Sequence, residues 1–256
     1  MEPERVTGAV ESLGGETKGV FGFACDLAIR EKTERLAQLI GAQYGTPDII
    51  INNAGYATYR TFEEASLDEI ERLISVNLMG AVRITKCLLA GMIKQRRGQI
   101  VNIASIAGAI PLTPNAMYCV AKHGLNAWSK VLSYEVGRFG IKLNLVCLGR
   151  IAETRFFEHE TFKTRAQRQE TQLTVPMPRV VDTIIASILD NKRSAFVPAY
   201  LAMVTWLSQV MPFFFGNLPG RLMEDRVATI YATKNSSSDN EDLNAKEKIA
   251  AASRDN

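Results

Sequence analysis

The chain has 256 residues, of which 46% are hydrophobic and 22% charged, with a formal net charge of +3. That length and apolar content provide for a substantial core, and so small a charge argues against a nucleic-acid binder, which would carry a basic patch or stripe. The four cysteines, Cys25, Cys87, Cys119 and Cys147, are far apart with no C-x-x-C pair, the pattern of reduced thiols in a cytoplasmic protein.

Met1-Glu-Pro-Glu-Arg is charged and leads into no apolar stretch of the secretory kind. Residues 6–13 read as the end of a helix closed by Gly14-Gly15, and residues 19–25 as a short apolar strand ending at Asp26. Residues 31–44 are predicted helical, with Leu36, Leu39 and Ile40 on one face. Residues 48–51 form a continuous apolar run, as expected of a strand buried on both faces of a parallel sheet. A long helix is predicted over 66–93, with Ser66 as N-cap and Glu69 three residues later. A buried strand at 99–103, a helix at 117–139 stopped by Gly140, and a strand at 141–146 follow. A helix at 179–189 and a strand at 195–197 complete the pattern. Strands alternating with helices predict an α/β fold with a parallel sheet.

Two segments stand apart. From Ala195 to Gly220 there is no charged residue, and the stretch 198–220 is strongly apolar. Its 13 residues between Pro198 and Pro212 are short for a membrane span, which needs about 20. One reading is a pocket lid or second core layer. The other is a membrane-surface segment or the mouth of an apolar-substrate site, which would make the protein membrane-associated. Residues 234–256 are polar and read as a solvated tail outside a folded domain spanning 1–233.

The chemistry is concentrated in three side chains. Tyr118 follows Ser105 by thirteen residues, and Lys122 lies one helical turn further on. A phenol titrates near pH ~10 and is a poor acid-base group alone. An ammonium four residues on shares its helical face and favours the phenolate, and a neighbouring hydroxyl can hydrogen-bond a carbonyl oxygen. Such a trio could pass a proton to or from a carbonyl or alcohol while a cofactor moves a hydride. A Tyr and Lys at this spacing occur by chance on many helices, and Asn52-Asn53 alone could be a turn. No His, Cys and carboxylate spacing suggests a metal.

The motifs together resemble the short-chain dehydrogenase/reductase family of the compact single-domain kind, over roughly residues 5–200. Asn52-Asn53-Ala54-Gly55 after an apolar strand, Asn77, Asp26 in Cys25-Asp26-Leu27, and the trio all fall in the family's order. The resemblance implies a Rossmann-like doubly wound parallel sheet and an NAD(P)-dependent oxidoreductase acting on a ketone or aldehyde and its alcohol. NAD and NADP stay open alternatives. It implies Tyr118 as general acid or base, with Lys122 lowering its pKa and holding the nicotinamide ribose. Ser105 would orient the carbonyl, and Asn77 would bind a water in a proton relay. Asp26, Leu27, Asn53, Ala54 and Gly55 would lie along the adenosine part. Gly149 and Ile151 are carried over more loosely, because Leu148-Gly149 replaces the family's Pro-Gly, and Thr154 stands one residue late for its usual threonine. The apolar C-terminal region suggests a hydrophobic substrate, and the long helices 66–93 and 117–139 a homodimer or tetramer.

One departure is large. The family's Thr-Gly-x-x-x-Gly-x-Gly turn, which sets the cofactor's pyrophosphate on a helix N-terminus, does not occur in the sequence. The expectation is a chain lacking the first strand, that turn and the second strand, through truncation or a start placed too late. The strand at 19–25 would then be unpaired or shift into the gap beside residues 48–51. Two alternatives follow: a non-catalytic remnant that pairs at most with an intact homologue, and a sugar-nucleotide epimerase or dehydratase, which shares Tyr-x-x-x-Lys.

Overall fold

The computed structural model describes residues 3–152, 154, 156, 174–211, 228 and 231. The expected polar tail at 234–256, and the apolar segment beyond Met211, lie outside the described residues. Four strands, β1 (Ile49–Asn52), β2 (Gly98–Ser105), β3 (Ile141–Leu148) and β4 (Ser194–Val197), pair in parallel in the order β1-β2-β3-β4. The described helices are α1 (Pro3–Ser12), α2 (Arg30–Tyr44), α3 (Leu67–Ile74), α4 (Gly80–Gln95), α5 (Ala116–Gly137), α6 (Met177–Leu189) and α7 (Tyr200–Val210).

Alternation along the strands divides the side chains between two helix layers. Ile50, Ile100, Ile141 and Leu143 point to one face and pack against Leu88 and Met92 of α4 and Leu132 and Val136 of α5. Val101, Ile103, Val146 and Leu148 point to the other and meet Val180 of α6, with Ile184 and Ile188 beside it. Each such fully buried side chain contributes about 1.5–3 kcal/mol. The result is the α/β doubly wound sheet expected, in which ligands bind at the carboxyl ends of the strands. Asn52, Ser105 and Leu148 are those ends.

Three asparagines, one on each of β1, β2 and β3, interrupt the apolar strands and tie the layers together. Asn52 Nδ2 donates to Asn102 Oδ1 (2.7 Å) and Thr85 Oγ1 (3.1 Å), and Asn102 Nδ2 donates to Ser129 Oγ (2.7 Å) on α5. On the other face Asn144 Oδ1 accepts from Gln99 Nε2 (2.7 Å), while its Nδ2 donates to the Ser187 and Lys192 carbonyls (2.9 and 2.7 Å). Every one of these buried groups has a partner, so burial does not leave it desolvated and unpaired.

Four expectations are corrected. Residues 20–26 form no strand. Among the described residues no strand lies beside them, and an extended segment without a ladder partner leaves its backbone groups unpaired. Instead Phe21 and Phe23 meet the Tyr44 ring, with centroids 4.9 and 6.2 Å apart. Nor does this segment move in beside β1, which pairs with β2 alone among the described strands. Second, β1 is buried on one face only: Ile50 is 6% exposed, but Ile49 and Ile51 are 45% and 50% exposed, because α6 covers β2 to β4 and not β1. Third, the single helix expected over 66–93 is interrupted by a π turn at Ser75–Met79, between α3 and α4. Its start is as expected: Ser66 Oγ accepts from Glu69 N–H and Glu69 Oε2 from Ser66 N–H, both at 3.2 Å. Fourth, α7 is no second core layer, since Thr205 is its one buried residue.

Candidate active site

Ser105 ends β2, and its hydroxyl accepts the Ala107 N–H (3.2 Å), starting a short 3-10 turn at Ile106–Gly108. That turn lies directly on α5. Asn126 Nδ2 donates to the Gly108 carbonyl (2.7 Å), and a Cβ at Gly108 would stand 2.6 Å from the Lys122 carbonyl oxygen. Only a residue without a side chain permits this approach. It brings the strand end carrying Ser105 to the helix carrying Tyr118, close enough for the Ser105 hydroxyl to favour the phenolate.

Burial pushes the Tyr118 phenol up to about 12, and the Ser105 hydroxyl opposes this only in part. Ala57, Tyr59 and Phe156 surround the ring, Phe156 edge-on with centroids 5.8 Å apart. The phenol is therefore a neutral donor at pH 7. Lys122 is almost wholly buried, and burial brings its ammonium down to about 8. Its Nζ donates to the Ile103 carbonyl (3.0 Å) and lies 5.7 Å from the Tyr118 ring centroid. The lysine thus shares the helix face with the phenol but is bound to the strand.

Asn77 is buried in the π turn and clamps the Asn-Asn-Ala-Gly turn. Its Nδ2 donates to the Tyr56 and Leu73 carbonyls (2.9 and 3.0 Å), and its Oδ1 accepts the Tyr56 N–H (3.2 Å). Both amide hydrogens are used, so the side chain retains acceptor capacity alone for a water. A Cβ at Gly55 would lie 2.6 Å from Asn77 Oδ1 and 3.6 Å from Lys122 Nζ, which places glycine, asparagine and lysine side by side.

Leu27, Asn53 and Ala54 line an open cleft with Val76, Ala81 and Ile84 at the edge of β1. Asp26 stands next to it. Burial works against its charge, but the Ala28 N–H (3.1 Å) and the hydrogen bond and charge of Arg72 (3.1 Å) outweigh that and hold the carboxyl below its ordinary range. Arg83 donates to the Leu27 and Ala28 carbonyls, both at 3.1 Å, so two arginines fix this corner on α3 and α4. Gly149 donates its N–H to the Val197 carbonyl (2.7 Å), and Ile151 bridges to Val175. Both lie past the end of β3, with Thr154 beyond them; the Thr154 hydroxyl is buried and has no partner among the described residues.

These residues fit the two ends of a nicotinamide dinucleotide: an apolar cleft beside a carboxylate, and a buried lysine near a glycine, with a buried hydroxyl beyond β3 that has no partner among the described residues. The glycine-rich turn for the pyrophosphate is not among them. Sequence reasoning missed Gly108, Asn126, Tyr59 and Phe156. The signal for the first two was a glycine three residues after Ser105 and a polar residue four after Lys122; the aromatic walls left none.

The family model for short chain dehydrogenase matches residues 1–164. Over 235 residues the chain is 27% identical to Dehydrogenase/reductase SDR family member 7 of Mus musculus, covering 89% of this chain and 69% of that protein. It is 34% identical over 195 residues to granaticin polyketide synthase putative ketoacyl reductase 1 of Streptomyces violaceoruber, covering 71% and 70%. The chain spans from 50% to 70% of the length of such curated relatives. A metagenomic short-chain oxidoreductase solved in complex with NADP shares the fold, with a TM-score of 0.58 and 22% identity over 75% of this chain and 77% of that one.

Proposed function

Because the chain belongs to the short-chain dehydrogenase family, we propose that it interconverts a ketone or aldehyde and an alcohol with NAD(P)(H), and that Tyr118 handles the proton. The observation that carries this reading is the convergence of Ser105, at the end of β2, on the buried Tyr118 phenol, with the buried Lys122 one helical turn away. When bound, the cofactor gives or takes the hydride. Lys122 and the Gly55 turn would hold its nicotinamide ribose, Thr154 its amide, and Leu27, Asn53 and Ala54 its adenosine, beside Asp26.

The chain's own residues favour reduction. With its phenol near 12, Tyr118 keeps its proton at pH 7 and can donate it to a carbonyl oxygen. Forming the phenolate that oxidation needs is disfavoured at pH 7 by the same burial. Ser105 presents its hydroxyl beside that phenol, where a carbonyl oxygen can accept from both. Ala57, Tyr59 and Phe156 exclude water around the phenol and match an apolar substrate. Asn77 holds the turn beside Lys122 and keeps an acceptor for a water. Val120, Val131 and Tyr134, exposed along one stripe of α5, support a homodimer or tetramer through the long helices.

The test is titration of the chain with NADH and NADPH, followed by a panel of apolar ketones with reduced-nicotinamide absorbance as the readout. Binding and turnover support the reading. Failure of both cofactors to bind would show that these residues do not make a working reductase by themselves.

A further inference from the structure

Helix α7 is inside out. Thr205, its one buried residue, faces the protein, and Ser208 Oγ donates to the Thr205 carbonyl (2.8 Å). Leu201 reaches inward as well, 3.0 Å from where a Cβ of Gly149 would be. The large apolar side chains point out: Met203, Trp206 and Val210 are 61%, 58% and 56% exposed, and Tyr200, Val204 and Met211 border them. A helix normally places its apolar stripe on the core and its polar residues outside. A contiguous apolar face of this kind marks an interaction surface.

We propose that α7 docks on a lipid bilayer surface. Three features select lipid over protein. From Ser194 to Gly220 the sequence holds no charged residue, so the face lacks the charged rim by which a protein partner fixes orientation, whereas a bilayer needs only apolar area. Trp206 and Tyr200 are the side chains that settle at a membrane–water boundary. In the sequence Arg193 precedes the run and Arg221 follows it, basic residues at both ends of the uncharged stretch that suit anionic headgroups. At 11 residues α7 lies on the surface rather than spanning it, since a span needs about 20. The segment Leu67–Gln95 is long and apolar enough to cross a membrane, but α4 commits Leu88 and Met92 to the core. Through Leu201 the docked helix would abut Gly149, at the carboxyl end of the sheet, so an apolar carbonyl compound could reach the site from the bilayer. That last link rests on the proposed reductase reading; the docking does not.

The test is co-flotation of the full chain with vesicles of equimolar phosphatidylcholine and phosphatidylserine, beside the double variant Met203→Glu/Trp206→Glu. The chain is expected to float with the vesicles, and the double variant to lose at least tenfold of that binding while its circular dichroism and melting stay unchanged. In a Trp128→Phe background, Trp206 emission is expected to shift to shorter wavelength with vesicles and to be quenched by brominated lipid. No flotation, or equal flotation of the double variant, would overturn the proposal. So would a Trp206 shielded from acrylamide without vesicles, which would mean the chain covers its own helix, or a dimer that the double variant abolishes, which would mean a second copy does. Reductase activity enters none of these readouts, so failure here and failure of the reductase reading are distinguishable.

Discussion

Replacing Lys122 with Met should stabilise the protein at neutral pH, contrary to the usual effect of altering a buried residue in a site. The ammonium sits at 5% exposure with its pKa lowered by burial from 10.5 to about 8. Between those values the native state binds fewer protons than the unfolded chain, so wild-type stability rises as pH climbs from 8 to 10.5 and is lost as pH falls through 8. Below pH 8 the full cost is present, about 3 kcal/mol for two and a half units. Methionine keeps the aliphatic stem and removes the charge, but it also removes the donor to the Ile103 carbonyl, worth about 1 kcal/mol. The variant is therefore expected to gain about 2 kcal/mol at pH 7 and to be about 1 kcal/mol less stable than wild type above pH 10.5. Urea unfolding of both proteins across that range measures the difference. A variant less stable at pH 7, or a difference that stays flat between pH 7 and pH 10.5, would refute the account of a desolvated ammonium held on a strand carbonyl.

Gly108→Ala puts a Cβ 2.6 Å from the Lys122 carbonyl oxygen, and should cost about 1–3 kcal/mol in chemical denaturation while separating Ser105 from Tyr118 and lowering turnover. Asn144→Ala takes one of two partners from the Gln99 amide and from the Ser187 carbonyl and removes the side-chain donor to the Lys192 carbonyl, and should lower stability by about 2 kcal/mol, measured by the urea midpoint. Ser66→Ala removes the side-chain half of the capping box and should cost about 1 kcal/mol in thermal unfolding, with activity unchanged.

Much of the fold was legible because its signals are local. The run Ile49-Ile50-Ile51, the Ser66 and Glu69 pair and the Tyr118–Lys122 spacing each depend on near neighbours in sequence, and each is found where expected. What was not legible depends on partners far along the chain. Residues 19–25 have strand composition but no neighbouring strand, and composition cannot supply one. Asn77 matched a motif, yet the π turn that buries it and its grip on Tyr56 arise from packing of α3 and α4 against the Asn-Asn-Ala-Gly turn. Lys122 is where the spacing put it, but the Ile103 carbonyl, nineteen residues back in sequence, holds its ammonium. Helix α7 was uncharged and apolar to the eye; that it turns this apolar side outward is a property of its packing on β4.

The most direct test of the proton-transfer site is Tyr118→Phe, with turnover of an apolar ketone compared across the wild-type chain, this variant and Ser105→Ala. Removing the hydroxyl leaves the ring and its packing with Phe156 and Tyr59 in place and takes away the proton donor. The variant should bind NAD(P)H like the wild type and reduce the ketone about 10²–10⁴-fold more slowly. Turnover surviving within about tenfold of wild type, a barrier change of no more than ~1.4 kcal/mol, would contradict Tyr118 as the proton donor.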